Sequence, residues 1–167
     1  MPQLNSLWID LRASPKDLFI EEHHRSYNEF HKLHFPDEQD PQMIMLIGDE
    51  WKTKAIRRLE PSLNSNGNHK KVHLQLVPSN TKARSPILIA DCELHNTPLP
   101  SKVSDSLIAG IKRHTLLWHR KVPTEGLDAN TLAHLVYSKL ITPFSTIIYF
   151  FADDLGGTQA VVEILAS

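Results

Sequence analysis

The stretch of sequence that decides the fold is residues 43–59, Met-Ile-Met-Leu-Ile-Gly-Asp-Glu-Trp-Lys-Thr-Lys-Ala-Ile-Arg-Arg-Leu. Its first five residues form a short apolar run that stops at Gly48, a pattern typical of a strand buried on both faces of a sheet. A helical pattern from Trp51 to Leu59 follows at once. A buried strand that leads into a helix is the repeating unit of an α/β sheet, so this stretch predicts an α/β fold.

Similar elements recur along the chain. Residues 86–91 and 145–151 are further apolar runs typical of buried strands, whereas residues 72–77 alternate as a half-exposed strand would. Helices are predicted over residues 103–118 and 129–140 and at the C-terminal end, as far as Leu165. Ser14 as N-cap and Pro15 at the first helical position predict an additional helix from Pro15 to His34. This order predicts a mainly parallel sheet with helices on both faces, preceded by an N-terminal helix.

The length and composition fit one domain of ordinary size. The chain has 167 residues, and 18 Lys and Arg against 19 Asp and Glu leave a net charge of −1, which disfavours binding to nucleic acid. The single cysteine predicts a reducing compartment, and no apolar run is long enough for a membrane span. We therefore expect a cytoplasmic protein without a membrane or nucleic-acid partner, with a helical extension over residues 1–40 and an α/β domain over residues 41–167.

The turn after the first strand carries part of a phosphate-binding pattern. Such a loop reads Gly-x-x-x-x-Gly-Lys-Ser/Thr, because backbone amides must curl round the phosphates, the lysine must reach them and the hydroxyl must hold magnesium. Gly48 and Lys54 stand at the required spacing, whereas Thr53 replaces the second glycine and Ala55 replaces the hydroxyl. The two acids that follow Gly48 add negative charge to a loop that would hold an anion.

An acid, Asp91, ends the second buried strand. The carboxyl ends of neighbouring parallel strands meet at one edge of a sheet, where ligands bind. In phosphate-loop nucleotidases an acid at this position orients magnesium, directly or through water. The candidate nucleotide-binding residues are therefore Gly48, Thr53, Lys54 and Asp91, and Asp91 is the candidate magnesium ligand. A turn residue that ends a strand is the alternative interpretation of Asp91.

Residues 43–59 and 86–94 together resemble a degenerate P-loop GTPase-type domain of the guanylate-binding-protein and dynamin-like branch, especially the GTPase-like domain of large fungal multidomain proteins. The second motif of that family reads Asp-Cys/Thr-Glu-Gly, and this chain has Asp91-Cys92-Glu93 followed by Leu94. Residues 135–151 resemble the strand that precedes the guanine-specificity motif there. The resemblance implies GTP or GDP with magnesium as cofactor. It also implies a domain truncated at its C-terminal end, because the Asn/Thr-Lys-x-Asp motif does not follow.

Other chemistry-bearing residues have simpler interpretations. Asp153 and Asp154 follow the strongest strand and could hold a metal if their carboxylates converged, but a helix N-cap explains them more simply. The histidines at positions 23, 24, 31 and 34 lack a His-Glu-x-x-His pattern and paired cysteines, which favours solvated surface residues over a zinc site. Cys92 belongs to a buried strand, where a thiol is usually inert. We predict no catalytic residue.

Three functional hypotheses remain open from the sequence. The first is a non-catalytic interaction or regulatory module derived from a GTPase-type domain, with an unknown protein partner. The second is a purine nucleotide-binding protein with weak or no hydrolysis, which as an enzyme would be a nucleoside-triphosphate hydrolase. The third is a truncated gene product that needs a partner chain and self-associates through an exposed sheet edge.

Overall fold

The structure is a computed structural model and describes residues 6–13, 18–63, 71–93, 110–116 and 129–166. These residues form a seven-stranded mixed sheet with helices on both faces. The strands are β1 (Leu7–Ala13), β2 (Leu18–His23), β3 (Gln42–Ile47), β4 (Lys71–Leu76), β5 (Ile87–Cys92), β6 (Ile111–Thr115) and β7 (Ser145–Phe150). The α-helices are α1 (Glu50–Leu59), α2 (Ala129–Val136), α3 (Ala152–Leu155) and α4 (Thr158–Ala166).

The sheet has two halves with different strand directions. Its order is β6-β2-β1-β4-β5-β3-β7. The strand β3 runs parallel to both β5 and β7, and we call these three strands the parallel half. All other neighbouring strands are antiparallel, and we call β6, β2, β1 and β4 the antiparallel half. The predicted α/β class is confirmed, but the prediction of a mainly parallel sheet is wrong.

The predicted N-terminal helix is also wrong in the residues that the structure describes. In the described part of the range from Pro15 to His34, strand β2 and a 3-10 helix (His24–Lys32) replace the helix, and β1 precedes them in the same sheet. In β1 the side chains of Ile9 and Leu11 join the same core cluster, whereas Asp10 between them pairs in register with Glu21, which is the alternation expected of a strand. Ser14 and Pro15, on which the helix prediction rested, lie outside the described residues.

The predictions for the remaining elements have mixed outcomes. The strands predicted near β3, β5 and β7 and the helix α1 are confirmed. The helix predicted over residues 129–140 is confirmed as α2, which continues as a π-helix (Tyr137–Ile141). Residues 111–115 of the predicted helix 103–118 instead form β6, and the other residues of that range except Gly110 and Leu116 are outside the description. Strand β4 is buried on both sides, not half exposed.

The core lies on both faces of the sheet. On the face that α1 covers, Ile44 and Leu46 of β3 pack with Ile56 of α1 and with Leu63. On the opposite face, Met45 and Ile47 of the same strand pack with residues of α2 and the π-helix, among them Val136, Tyr137 and Ile141. We call these sides the α1 face and the α2 face. Because β3 is covered on both sides, its continuous apolar sequence follows directly from its position.

Candidate functional site

The first turn of α1 lies at the carboxyl end of β3 and is held by a carboxylate from elsewhere in the chain. Asp154 Oδ2 accepts hydrogen bonds from the backbone N–H groups of Asp49 at 2.7 Å and Lys52 at 3.0 Å. Asp154 Oδ1 accepts one from the N–H of Trp51 at 2.9 Å. The first N–H groups of a helix have no partner within the helix, so the carboxylate supplies the cap that α1 needs. Asp154 belongs to α3 and therefore caps a different helix from the one that the sequence predicted.

Gly48 gives this carboxylate room to approach. A Cβ atom at position 48 would lie 2.7 Å from Asp154 Oδ2 and 2.8 Å from the Cβ of Phe151. Both distances are shorter than carbon contacts allow, so a side chain here would displace the cap. The glycine that the sequence marked as part of a phosphate loop is thus explained in this structure by the close packing of α3.

Lys52 carries its ammonium group into the protein interior. Its side chain has no solvent exposure, and its Nζ lies 2.5 Å from Asp91 Oδ1. The same Nζ donates a hydrogen bond to the carbonyl oxygen of Cys92 at 2.8 Å. A buried ammonium needs an anionic partner and further hydrogen bonds to offset its desolvation, and Asp91 with the end of β5 provides both.

The structure brings some of the sequence-predicted residues together and leaves others apart. Gly48 and Asp91 meet at the carboxyl ends of β3 and β5, where the N–H of Gly48 donates to the carbonyl oxygen of Cys92 at 3.3 Å. Lys54 points outward instead: its Nζ pairs with Glu50 at 2.7 Å and lies 4.5 Å from the centre of the Trp51 ring. Thr53 is half-buried in the first turn of α1, where its N–H donates to the carbonyl oxygen of Asp49.

Sequence reasoning missed Lys52, although a signal for it exists. Lys52 precedes Ile56 by four residues, and residues four apart share one face of a helix. The face of α1 that carries Ile56 is the buried one. A lysine on that face one turn earlier therefore has to find an acid inside the protein, and Asp91 is the acid at the end of the neighbouring strand.

The structure shifts the pKa values of two acids near Lys52, Asp154 and Glu93, in opposite directions. For Asp154, partial burial acts to raise the pKa, but hydrogen bonds from the three backbone N–H groups outweigh it and hold the pKa below its usual value. Burial raises the pKa of Glu93 to about 8 despite the nearby ammonium of Lys52, and the charge of Asp91 adds to the effect. Glu93 is only 2% exposed, and its carbonyl oxygen accepts a hydrogen bond from the hydroxyl of Tyr137 at 2.7 Å.

The geometry around Asp91 does not fit a magnesium ion. The carboxylate is 1% exposed, and the ammonium of Lys52 stands where a cation would bind. Magnesium keeps several waters and prefers open octahedral positions, which this buried ion pair does not offer. Ala55 contributes no hydroxyl.

A second group of charged residues crosses the α1 face of the antiparallel half. One rung of the sheet places Lys71, Asp10, Glu21 and Arg113 side by side across four strands. Arg12 joins the two acids, since its guanidinium lies 2.7 Å from Asp10 Oδ2 and 3.4 Å from Glu21 Oε2. We call Asp10, Arg12, Glu21, Lys71 and Arg113 the charged rung.

Two acids of the charged rung lie close to His23, and the three side chains are of the types that bind metal ions. Ligand atoms of Asp10, Glu21 and His23 lie within 4.8 Å of one another. However, Arg12 and Arg113 already neutralise the two acids, so a divalent cation would have to displace a guanidinium. Burial lowers the pKa of His23, which favours the neutral imidazole. The other three histidines of this region, His24, His31 and His34, are exposed, as predicted.

A cleft opens on the outer side of α1 next to the capped turn. It encloses about 350 Å³ between α1 and the start of α3. Its polar walls include Lys54, Arg58 and Asp153, and Trp51 and Phe151 supply aromatic surface. The cleft shares no lining residue with the pair formed by Lys52 and Asp91.

None of the helices in the described ranges is both long enough and apolar enough to cross a membrane. No protein-family model, curated protein or solved structure matches this chain.

Proposed function

We propose that this chain is a non-catalytic interaction or regulatory module derived from a GTPase-type domain. The observation that carries the proposal is the carboxylate of Asp154 at the first turn of α1. A helix N-terminus that follows a glycine-containing turn is a ready site for phosphate, because its N–H groups and its dipole both favour an anion. In this chain an internal anion holds that position.

A phosphate group would have to compete with Asp154 on unfavourable terms. The carboxylate is covalently part of the protein, so its effective concentration is high and its hydrogen bonds cost little additional ordering. If it stayed in place, its negative charge would repel the phosphate. The cap therefore supports loss of nucleotide binding.

Lys52, at the carboxyl ends of the parallel strands, is also engaged by groups of the protein itself. Lys52 lies close to the strand ends, but its ammonium is enclosed by Asp91 and the carbonyl of Cys92. Withdrawing it toward a phosphate would leave the carboxylate of Asp91 buried and unpaired, which costs several kcal/mol. Lys54, the lysine with the expected spacing, faces the outer cleft.

The layout nevertheless supports descent from a nucleotide-binding domain. A strand leads through Gly48 into α1, a lysine lies in the first turn, and an acid ends the adjacent parallel strand. Phosphate-loop proteins place their lysine and their magnesium-orienting acid in this relation. The proposal thus explains both the retained arrangement and its internal neutralisation.

Calorimetric and thermal-shift titrations with GTP, GDP and ATP, each with magnesium, test the proposal. We expect no heat of binding and no rise in Tm at millimolar nucleotide. The competing hypothesis, a purine nucleotide-binding protein, predicts a rise in Tm that Lys54→Ala abolishes. Saturable binding of any of these nucleotides would overturn the proposed function.

Removing the internal anion gives a complementary test. In Asp154→Ala the N–H groups of the first turn are vacated, so inorganic phosphate should raise the Tm of this variant and leave the wild type unchanged. Asp153→Ala is the matched control, because Asp153 is the adjacent acid of the same helix and is exposed. An equal response of both variants would show that the first turn is not an anion site.

The partner in this proposal is a protein inside the cell. A net charge of −1 offers no general attraction for nucleic acid, and the single cysteine suits a reducing compartment such as the cytoplasm. The open edge of the sheet at β7 is where self-association, the third sequence hypothesis, would occur.

A further inference from the structure

In the part of the chain that the structure describes, strand β7 forms an edge of the sheet. Within the described ranges no strand pairs with its outer side. Its sequence, Ser-Thr-Ile-Ile-Tyr-Phe, contains neither charge nor proline. Edge strands that must stay unpaired usually carry such residues, and the opposite edge does so: β6 reads Ile-Lys-Arg-His-Thr.

The exposed side chains of β7 lie on one face. Ile147 and Tyr149 pair in register with Ile44 and Leu46, and they therefore point to the α1 face. They are 43% and 53% exposed, whereas Leu46 on the neighbouring strand is 7% exposed. The apolar surface of this face thus continues to the edge, where these two side chains are exposed.

The backbone of β7 is ready to pair on its outer side. The N–H of Phe151 donates to the carbonyl oxygen of Ile47, so residue 151 directs its backbone groups toward β3. Successive residues of a strand alternate in direction. The N–H and C=O groups of Thr146, Ile148 and Phe150 therefore point away from the sheet.

We propose that a second copy of this chain pairs with β7 in antiparallel orientation, about a two-fold axis at Ile148. In this register Ile148 exchanges both backbone hydrogen bonds with its own copy, and Thr146 does so with Phe150 of the second copy. Every outward-facing backbone group from Thr146 to Phe150 then has a partner. The interface is isologous and closes, so it yields a dimer.

The same register also covers the exposed side chains. Ile147 lies directly across from Tyr149 of the second copy on the α1 face, and Tyr149 lies across from Ile147. These are non-hydrogen-bonded positions, at which facing side chains come closest, and an aromatic residue opposite a β-branched one is a favourable pair. One register thus satisfies backbone and side chains together without any like charges meeting, which favours a second copy over a foreign strand.

A charge-swap experiment on the full chain tests this proposal, which rests on the interaction role proposed above. Ile147→Glu/Tyr149→Glu and Ile147→Lys/Tyr149→Lys each place like charges across the axis, and dimerisation of each alone should be about 100-fold weaker or more. Mixing the two variants should restore a dimer. Phe35→Glu/Leu59→Glu is the control, since both residues are exposed apolar side chains outside β7. Sedimentation over a range of concentrations gives the oligomeric state.

The wild type provides a readout that does not depend on variants. The outward amides of Ile148 and Phe150 should exchange slowly with deuterium when the protein is concentrated and faster when it is diluted. A wild type that stays monomeric at high concentration, or charge variants that still dimerise alone, would overturn the proposal. A monomer that binds no nucleotide refutes the dimer and leaves the proposed function intact, whereas a dimer that binds nucleotide refutes the function only.

Discussion

The two halves of the sheet place buried charge differently. In the parallel half the strands are apolar along their length, and the charges of Lys52, Asp91 and Asp154 lie where β3, β5 and β7 end. In the antiparallel half the charged rung crosses the middle of the α1 face. The acids of the two groups are buried to nearly the same extent, because Asp91 is 1% exposed and Asp10 is 2% exposed.

This difference indicates different structural roles for the charges. Strand ends in a parallel sheet are where binding sites form, and the charges there satisfy one another as they would satisfy a ligand. In the charged rung the guanidinium of Arg12 contacts both acids, and Arg113, which extends toward solvent, pairs with Glu21. Arginine suits such bridging because its guanidinium presents five hydrogen-bond donors. The first group resembles a closed site, and the second acts as a bridge between strands.

The largest expected effect tests the closed site. Lys52→Met should lower the free energy of unfolding by roughly 3–5 kcal/mol, because Asp91 is left buried without its partner. Chemical denaturation measures the change. Lys52→Met/Asp91→Leu removes both charges and should recover most of the loss, whereas equal losses in the single and double variants would mean that the pair does not act as a unit.

The next effect concerns Glu93, which adjoins the same pair. Its pKa of about 8 lies above the ordinary value, so the folded protein retains a proton that the unfolded chain releases above pH 4 to 5. Stability from this group is present at low pH and is lost as the pH rises toward 8. Glu93→Gln should therefore raise stability at pH 8 by roughly 1–3 kcal/mol and leave it unchanged at pH 4. A Tm difference that does not depend on pH would contradict this assignment.

A smaller effect is expected at the cap of α1. Asp154→Ala should cost roughly 1–2 kcal/mol at neutral pH, the usual range for a helix cap. Since the pKa of Asp154 is lowered in the folded protein, this stability is present above the pKa of the unfolded chain, about 4, and is lost as the pH falls through the lower folded value. The difference in Tm between wild type and Asp154→Ala should therefore be smaller at pH 3 than at pH 7, which thermal melts at the two pH values would measure.

The smallest effect should arise in the antiparallel half. Arg12→Met should cost about 1 kcal/mol, because the side chain of Arg12 is 26% exposed and Arg113 still pairs with Glu21. Asp10 loses its ion pair in this variant, but the positive charge of Lys71 still acts on its carboxylate. Urea denaturation of Arg12→Met and Lys52→Met under the same conditions compares the loss of unfolding free energy in the two halves of the sheet. If Arg12→Met lost as much stability as Lys52→Met, the charged rung and the charges at the strand ends would not differ in their contribution to stability.

The sequence predicted the parallel half well because each of its strands is a continuous apolar run. The three strands β3, β5 and β7 and the helix α1 follow from that pattern and from Gly48. Asp91 was found for the same reason, since it ends such a run. The phosphate-loop spacing pointed to Lys54, whereas the lysine that reaches Asp91 is Lys52, because Lys52 lies on the buried side of α1.

The antiparallel half could not be predicted in the same way. Strands β2 and β6 carry Glu21, Glu22, Lys112 and Arg113, and their charge pattern is compatible with an exposed helix. What makes these segments strands is pairing within the sheet: β2 pairs with β1, and β6 pairs with β2 from a distant part of the chain. The cap of α1 was hidden for a similar reason, because Asp154 is more than 100 residues from Trp51 and reaches it through tertiary structure alone.

The buried thiol of Cys92 can report local unfolding of the core around it. It is the chain's single cysteine, its side chain is fully buried at the end of β5, and burial raises the pKa of its thiol far above the ordinary value. A thiol reagent can modify it only in molecules in which this edge has opened. The rate of alkylation of the unmodified protein therefore measures how often the core of the α2 face around Cys92 becomes accessible to solvent.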